Sequence, residues 1–167
     1  MRKINIVYIG IGTNLGDRAQ NINQAIDLIK TKNLIHSISL FYKSEPWGFE
    51  SNNHFLNCVI KIETEFDPEA LFIQLKKIEN QLGRIKTNKT NYEDRAIDLD
   101  ILFYNQLILE TPTLTIPHKE ISNRRFVLEP MCEIASKFVH PVFNKKMIQL
   151  LNECDDKSAL EQISMKM

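Results

Sequence analysis

The sequence predicts an α+β fold of the ferredoxin-like kind, an antiparallel sheet of βαββαβ connectivity with helices packed on it and a helical segment towards the C-terminus. Three observations carry this. Runs rich in β-branched residues and runs of helical periodicity follow one another as strand, helix, strand, strand, helix, strand. Two βαβ halves in that order imply one antiparallel sheet. The 167 residues match the length of one domain, and 43% apolar with 25% charged residues supplies a core. No repeat, low-complexity tract or linker divides the chain. Residues 1–167 are therefore read as a single domain, with 156–167 expected as a helix or frayed tail.

Ile4 to Ile11 is the first strand, and Gly12 to Asp17 is a turn. Ile22, Ile26 and Ile29 repeat at i, i+4, i+7 and mark the buried face of a helix. Leu34 to Lys43 is a second strand, Ser44 to Asn53 a loop, and Phe55 to Glu65 a third strand. Asp67-Pro68-Glu69 opens the second helix with a cap, a proline at the first position and an acid in the first turn. Leu71, Leu75, Ile78 and Leu82 line one stripe of it, and Gly83 sits where a helix-ending glycine belongs. Residues 84–95 are polar and aperiodic, a long loop of the kind that often carries function. Residues 96–104 alternate as the last core strand with one apolar face, and Leu107 to Leu109 form a further short strand. Pro112 to Pro117 is extended. Beyond His118 the chain reads as short helices broken by Pro130 and Pro141.

Bulk properties exclude several classes. Lys plus Arg equals Asp plus Glu at 21 each, so a general nucleic-acid binder is not expected. Cys58, Cys132 and Cys154 are widely spaced and odd in number, which fits reduced thiols in a cytoplasmic protein better than a disulfide framework or metal motif. The apolar start is interrupted by Asn5 and is too short to span a membrane.

The most informative segment is Asp94-Arg95-Ala96-Ile97-Asp98-Leu99-Asp100. On a strand, i and i+2 share a face, so the α-carbons of Asp98 and Asp100 lie roughly 7 Å apart on one side. Two carboxylates converging there suit magnesium, a hard cation that takes one or two carboxylates plus substrate phosphates. Aspartate is disfavoured in strands and like charges side by side repel, so the pair calls for a reason. Taken alone it is equally compatible with a solvated strand face. The neighbouring cations Arg84, Lys86, Lys89 and Arg95 favour a phosphate chain held between metal and guanidinium, although Lys86 and Lys89 also suit an ordinary soluble loop.

Several motifs fit one family together. They are Gly10-x-Gly12-Thr13-Asn14-Leu15-Gly16-Asp17, Phe41-Tyr42-x-Ser44-x-Pro46-Trp47-Gly48 with Phe55-Leu56-Asn57, and Ile78-Glu79-x-x-Leu82-Gly83-Arg84. Asp94-Arg95-x-Ile97-Asp98-Leu99-Asp100-Ile101-Leu102 follows, then Ile116-Pro117-His118 and Asn123-Arg124-x-Phe126-Val127-Leu128-x-Pro130. In order and spacing the chain resembles the 6-hydroxymethyl-7,8-dihydropterin pyrophosphokinases of folate biosynthesis from residue 4 to about 155.

The resemblance implies transfer of the β,γ-pyrophosphoryl group of ATP to the pterin hydroxymethyl oxygen, with release of AMP, by a cytoplasmic monomer using two magnesium ions. It implies that Asp98 and Asp100 bind both metals and that Arg84 and Arg95 hold phosphate in catalysis. Lys76, Glu79, Tyr92, Ile101, Thr115, His118, Lys119 and Arg124 would join Arg84 and Arg95 at ATP. Ser44, Glu45, Trp47, Phe55, Asn57, Tyr92, Asp98 and Phe126 would meet the pterin. Residue chemistry agrees, since a flat heteroaromatic ring suits the faces of Trp47 and Phe126, and its donor–acceptor edge suits the Asn57 amide. Phe55 and Phe126 also suit a plain core, and His118 also suits a cap for the helix after it. The chain departs from the family pattern in the long loop. Tyr92 stands where many members carry tryptophan, Glu93-Asp94 replaces Gly-Pro, and the loop is a residue longer. Lys119 replaces a frequent aromatic. Two other classes stay open to the residues alone: a non-catalytic ferredoxin-like module that binds a small ligand, and a metal-dependent nuclease using the same carboxylates.

Overall fold

The computed structural model describes residues 3–83 and 92–164. Its centre is a six-stranded antiparallel sheet built from β1 (Asn5–Thr13), β2 (Leu34–Ile38), β3 (Phe41–Ser44), β4 (Phe55–Thr64), β5 (Asp98–Tyr104) and β8 (Leu160–Ile163). The order is β5-β1-β4-β3-β8, with β2 also pairing with β4. The four core positions in that order are the ferredoxin-like arrangement, extended by one edge strand.

α1 (Arg18–Lys30) and α2 (Pro68–Gln81) cover one face. Each begins at an aspartate cap, Asp17 accepting from the Gln20 N–H and Asp67 from the Ala70 N–H. Gly83, at φ 90°, ends the second helix in a left-handed conformation that suits glycine. Ile22, Ile26, Ile29, Leu71 and Leu75 pack there on Val7, Ile9, Ile11, Ile60, Ile62 and Leu99. The other face meets α3 (Arg125–Ala135) and α4 (Met147–Glu153), whose Leu128, Met131, Met147 and Leu150 pack on Tyr8, Val59, Leu102 and Phe103. A two-stranded pair, β6 (Leu109–Glu110) with β7 (Thr115–Ile116), follows β5.

Four elements differ from the sequence reading. The strand expected over 34–43 is two, because at Ser39 the side-chain hydroxyl accepts the Val59 N–H and breaks the ladder. The Leu40 N–H turns instead to the Glu133 carboxylate. β5 has two apolar sides, since a register shift opposite Tyr8 and Ile9 sends Phe103 to the α3 side and Tyr104 to the α1–α2 side. Pro130 lies inside α3 instead of breaking it. Residues 160–163, expected as helix or tail, are β8, paired with β3 from Phe41↔Ile163 to Ser44↔Leu160.

Candidate active site

Pairing across the sheet builds the site. Gly12 on β1 faces Asn57 of β4 on one side and Asp98 of β5 on the other, and Gly10 likewise faces Val59 and Asp100. Residues directly opposite share a sheet face, so Asn57, Gly12 and Asp98 form one row about 10 Å across. The row's middle residue has no side chain, and the result is a trough. A Cβ at Gly12 would stand 3.2 Å from Asn57 Oδ1, and one at Gly10 would stand 3.3 Å from Leu102.

The trough opens into a cleft walled by Trp47, Phe49, Phe55, Tyr92 and Phe126. Asn57 is buried and already oriented, its amide N–H donating to the Ser44 hydroxyl at 2.9 Å and to the Tyr42 carbonyl at 3.2 Å. Its oxygen faces the trough beside Gly12. At the far end Arg95 Nη1 donates to Asp98 Oδ2 at 2.9 Å. Burial, and then the charge of Asp98, push the Asp100 carboxyl well above the usual carboxylate range.

A second cleft lies on the other side of Asp100, lined by Phe72, Ile101, Leu114, Thr115, His118 and Lys119. Asp100 and His118 line both clefts. Burial first, and then the Arg124 charge, push His118 down to about 4, so its ring is neutral at pH 7. His118 Nδ1 accepts the Glu120 N–H at 3.2 Å, which leaves the ring proton on Nε2, the atom 3.9 Å from Asp100 Oδ2. The histidine is thus both the cap of the turn that follows it and a donor facing the shared wall.

The structure brings together Ser44, Glu45, Trp47, Phe55, Asn57, Tyr92, Arg95, Asp98, Asp100, His118, Arg124 and Phe126 around the first cleft, and Ile101, Thr115 and Lys119 at the second. Arg84, Lys86 and Lys89 lie outside the described residues. Lys76 and Glu79 line neither cleft. Glu79 is 1% exposed, with Oε1 accepting the Leu99 N–H and the Lys76 ammonium, each at 2.7 Å. The pair braces β5 beneath the aspartates, and the Lys76 charge offsets part of the upward push on Asp100.

Sequence reasoning missed Phe49, which meets Phe55 edge to face at 6.0 Å, and the glycine trough, whose only trace was the Gly10-x-Gly12 spacing. It also missed a clamp at the rim. Asn14 and Asn53 donate their side-chain amides to the two oxygens of Asp94 at 2.7 and 2.8 Å, while Asn14 Oδ1 accepts the Arg95 N–H. Hydrogen bonds from Ser51, Asn53 and Asn14, aided by the Arg95 charge, hold the Asp94 carboxyl low despite the opposing effect of burial. No local pattern marks contacts that join residues 14, 53 and 94.

A model of the family described as 7,8-dihydro-6-hydroxymethylpterin-pyrophosphokinase matches residues 8–136. An Aquifex aeolicus 2-amino-4-hydroxy-6-hydroxymethyldihydropteridine pyrophosphokinase is 38% identical over 141 residues, 84% of this chain and 87% of that protein. A Haemophilus influenzae protein of the same name is 40% identical over 136 residues, 80% of this chain and 84% of that one. The folic acid synthesis protein FOL1 of Dictyostelium discoideum is 40% identical over 140 residues, but the match spans 84% of this chain and only 21% of that longer protein. Among solved structures, Plasmodium falciparum HPPK-DHPS superimposes with a TM-score of 0.72 at 17% identity, covering 92% of this chain and 45% of that one, a likeness of fold.

Proposed function

The chain belongs to the 7,8-dihydro-6-hydroxymethylpterin-pyrophosphokinase family, and from that premise we infer that it transfers the β,γ-pyrophosphoryl group of ATP to the hydroxymethyl oxygen of 6-hydroxymethyl-7,8-dihydropterin, yielding the pterin diphosphate and AMP for folate synthesis. The observation that carries the reading is the trough running from Asn57 past Gly12 to Asp98, beside a second cleft that shares Asp100 and His118. A flat ring fits the first cleft with its donor–acceptor edge at Asn57 and its walls made by Trp47, Phe55 and Phe126. Its hydroxymethyl group then points towards Asp98. The adenosine end of ATP fits the second cleft, at Ile101, Thr115 and Lys119.

The donor set fits magnesium. Asp98 and Asp100 offer hard oxygens from one strand face, too few for an all-protein cage and suited to a cation that keeps waters and shares substrate phosphate. Among the described residues no group of three or more His, Cys, Asp or Glu gathers at one place, so water and substrate phosphate would have to complete the coordination of any metal held here. Two magnesium ions held by this pair would supply charge neutralisation at the phosphates. The residues of the chain do the rest. Arg95, tied to Asp98, presents its remaining N–H groups to the transferred group. His118, neutral, donates from Nε2 to a phosphate oxygen. Aromatic walls exclude water and hold the acceptor oxygen in line with the β-phosphorus, so the barrier falls through positioning and charge.

Incubation with ATP, magnesium and the reduced pterin should release AMP in equal amount to the pterin diphosphate. ADP as the product refutes pyrophosphoryl transfer, and ligand binding without AMP favours the non-catalytic module.

A further inference from the structure

The slot assigned to the pterin ring holds the side chain of Arg124. Its guanidinium carbon lies 4.5 Å from the Trp47 ring centroid, 5.8 Å from that of Phe126 and 5.3 Å from that of Tyr92. Arg124 is 8% exposed, yet its Nε has no hydrogen-bond partner, so a buried donor awaits an acceptor. Its Nη2 donates to the Tyr92 hydroxyl at 2.7 Å. The Tyr92 ring is itself seated, edge to face on Trp47 at 5.8 Å. It lies so close to Gly48 that a Cβ there would stand 3.2 Å from it. Gly48, at φ 80°, is thus needed for its backbone and for the approach of this ring.

A planar cation between two aromatic faces imitates the ligand that those faces suit. Guanidinium and pterin cannot both lie there. We propose that Tyr92 is a positioning residue whose phenol holds the Arg124 guanidinium in the ring slot until the pterin displaces it. Entry of the ring breaks the Tyr92–Arg124 bond and frees Arg124 to turn towards the phosphates, where its unpaired Nε finds an oxygen. Acceptor binding is thereby linked to presentation of a phosphate-binding cation. This inference rests on the pterin reading of the cleft.

The test compares wild type with Tyr92→Phe and Tyr92→Trp, measuring binding of 6-hydroxymethylpterin by calorimetry without nucleotide, and the KM for the reduced substrate. Loss of the phenol removes a bond made only in the free protein, so Tyr92→Phe should bind the pterin about three- to tenfold more tightly, with KM falling in step. Tyr92→Trp, which keeps a ring but lacks the accepting oxygen, should follow Tyr92→Phe. Equal or weaker binding by Tyr92→Phe, or wild-type binding by Tyr92→Trp, overturns the proposal. Trp47, the only tryptophan of the chain, gives a readout that needs no ligand. Its emission should shift in ligand-free Tyr92→Phe as the guanidinium loosens. If wild type binds no pterin, the functional reading fails and this emission alone decides: a shift sustains the Tyr92–Arg124 hold, and no shift overturns it.

Discussion

The two faces of the central sheet are made by the same strands and do different work. On the face towards α1 and α2, β1 presents Val7, Ile9 and Ile11, β4 presents Ile60 and Ile62, and β5 presents Leu99 and Ile101, all nearly or fully buried. One residue along, the opposite face receives Tyr8, Gly10 and Gly12 from β1, Asn57 and Val59 from β4, and Asp98, Asp100 and Leu102 from β5. Near Tyr8, Val59 and Leu102 this second face is also a core, under α3 and α4. Towards Gly12 it is the trough. A strand with period two can therefore give every other residue to stability and the remainder to chemistry, provided a helix stops short of the far end.

The strongest test of that division replaces Asp98 or Asp100 with Ala. Turnover should fall by at least about a thousandfold, on the scale of losing a metal-held charge clamp, while the melting transition and circular dichroism stay close to wild type. Near-normal AMP release in either variant breaks the assignment of chemistry to this face. The mirror experiment is Leu75→Ala on α2, a fully buried side chain of the other face. It should cost about 2–5 kcal/mol in chemical denaturation, with activity per folded molecule retained. Gly12→Ala tests the boundary, because the new methyl meets Asn57 Oδ1 in the trough. It should raise the KM for the pterin by about tenfold, equal to about 1.4 kcal/mol, with little change in melting temperature.

The smallest effect lies in pH. His140, packed against Phe103 and Phe143, accepts the Val142 and Phe143 N–H groups at Nδ1, and burial pushes it down to about 4. Its folded value lies below its unfolded one, so between about pH 6.5 and 4 the unfolded chain binds more protons and stability falls on acidification. Asp100, pushed upward, works with the opposite sign in magnesium-free protein, so the informative quantity is the difference between variants. His140→Asn keeps an acceptor without titrating. Between pH 7 and 5 it should lose less stability than wild type, by on the order of 1–2 kcal/mol. Parallel pH curves for the two proteins would remove His140 as a contributor.

What could be read without coordinates follows from how local each signal is. β1, β4, α1 and α2 were legible because each carries its own periodicity and, for α2, its own Asp-Pro start. The break at Ser39 was not, because it depends on one hydroxyl meeting an N–H on β4. β8 was not, because Leu160-Glu161-Gln162-Ile163 is a strand only by virtue of β3 beside it. In the site, Asp98, Asp100, Trp47 and Asn57 drew notice as residue types out of place in strands or loops. Asn53 looks like an ordinary loop residue, Asn14 and Asp94 stand out only as members of longer motifs, and their meeting in space gives all three a shared task.

β8 also has a consequence remote from catalysis. β3, whose Ser44 hydroxyl accepts the Asn57 amide, would otherwise end the sheet with a row of unpaired N–H and C=O groups. Such a row is a template on which a second chain can add a strand, and repetition of that addition is how aggregates grow. By pairing with it, β8 moves the free edge one strand away from the cleft, onto a four-residue strand that carries Glu161, and short, charged edges are poor templates for such addition.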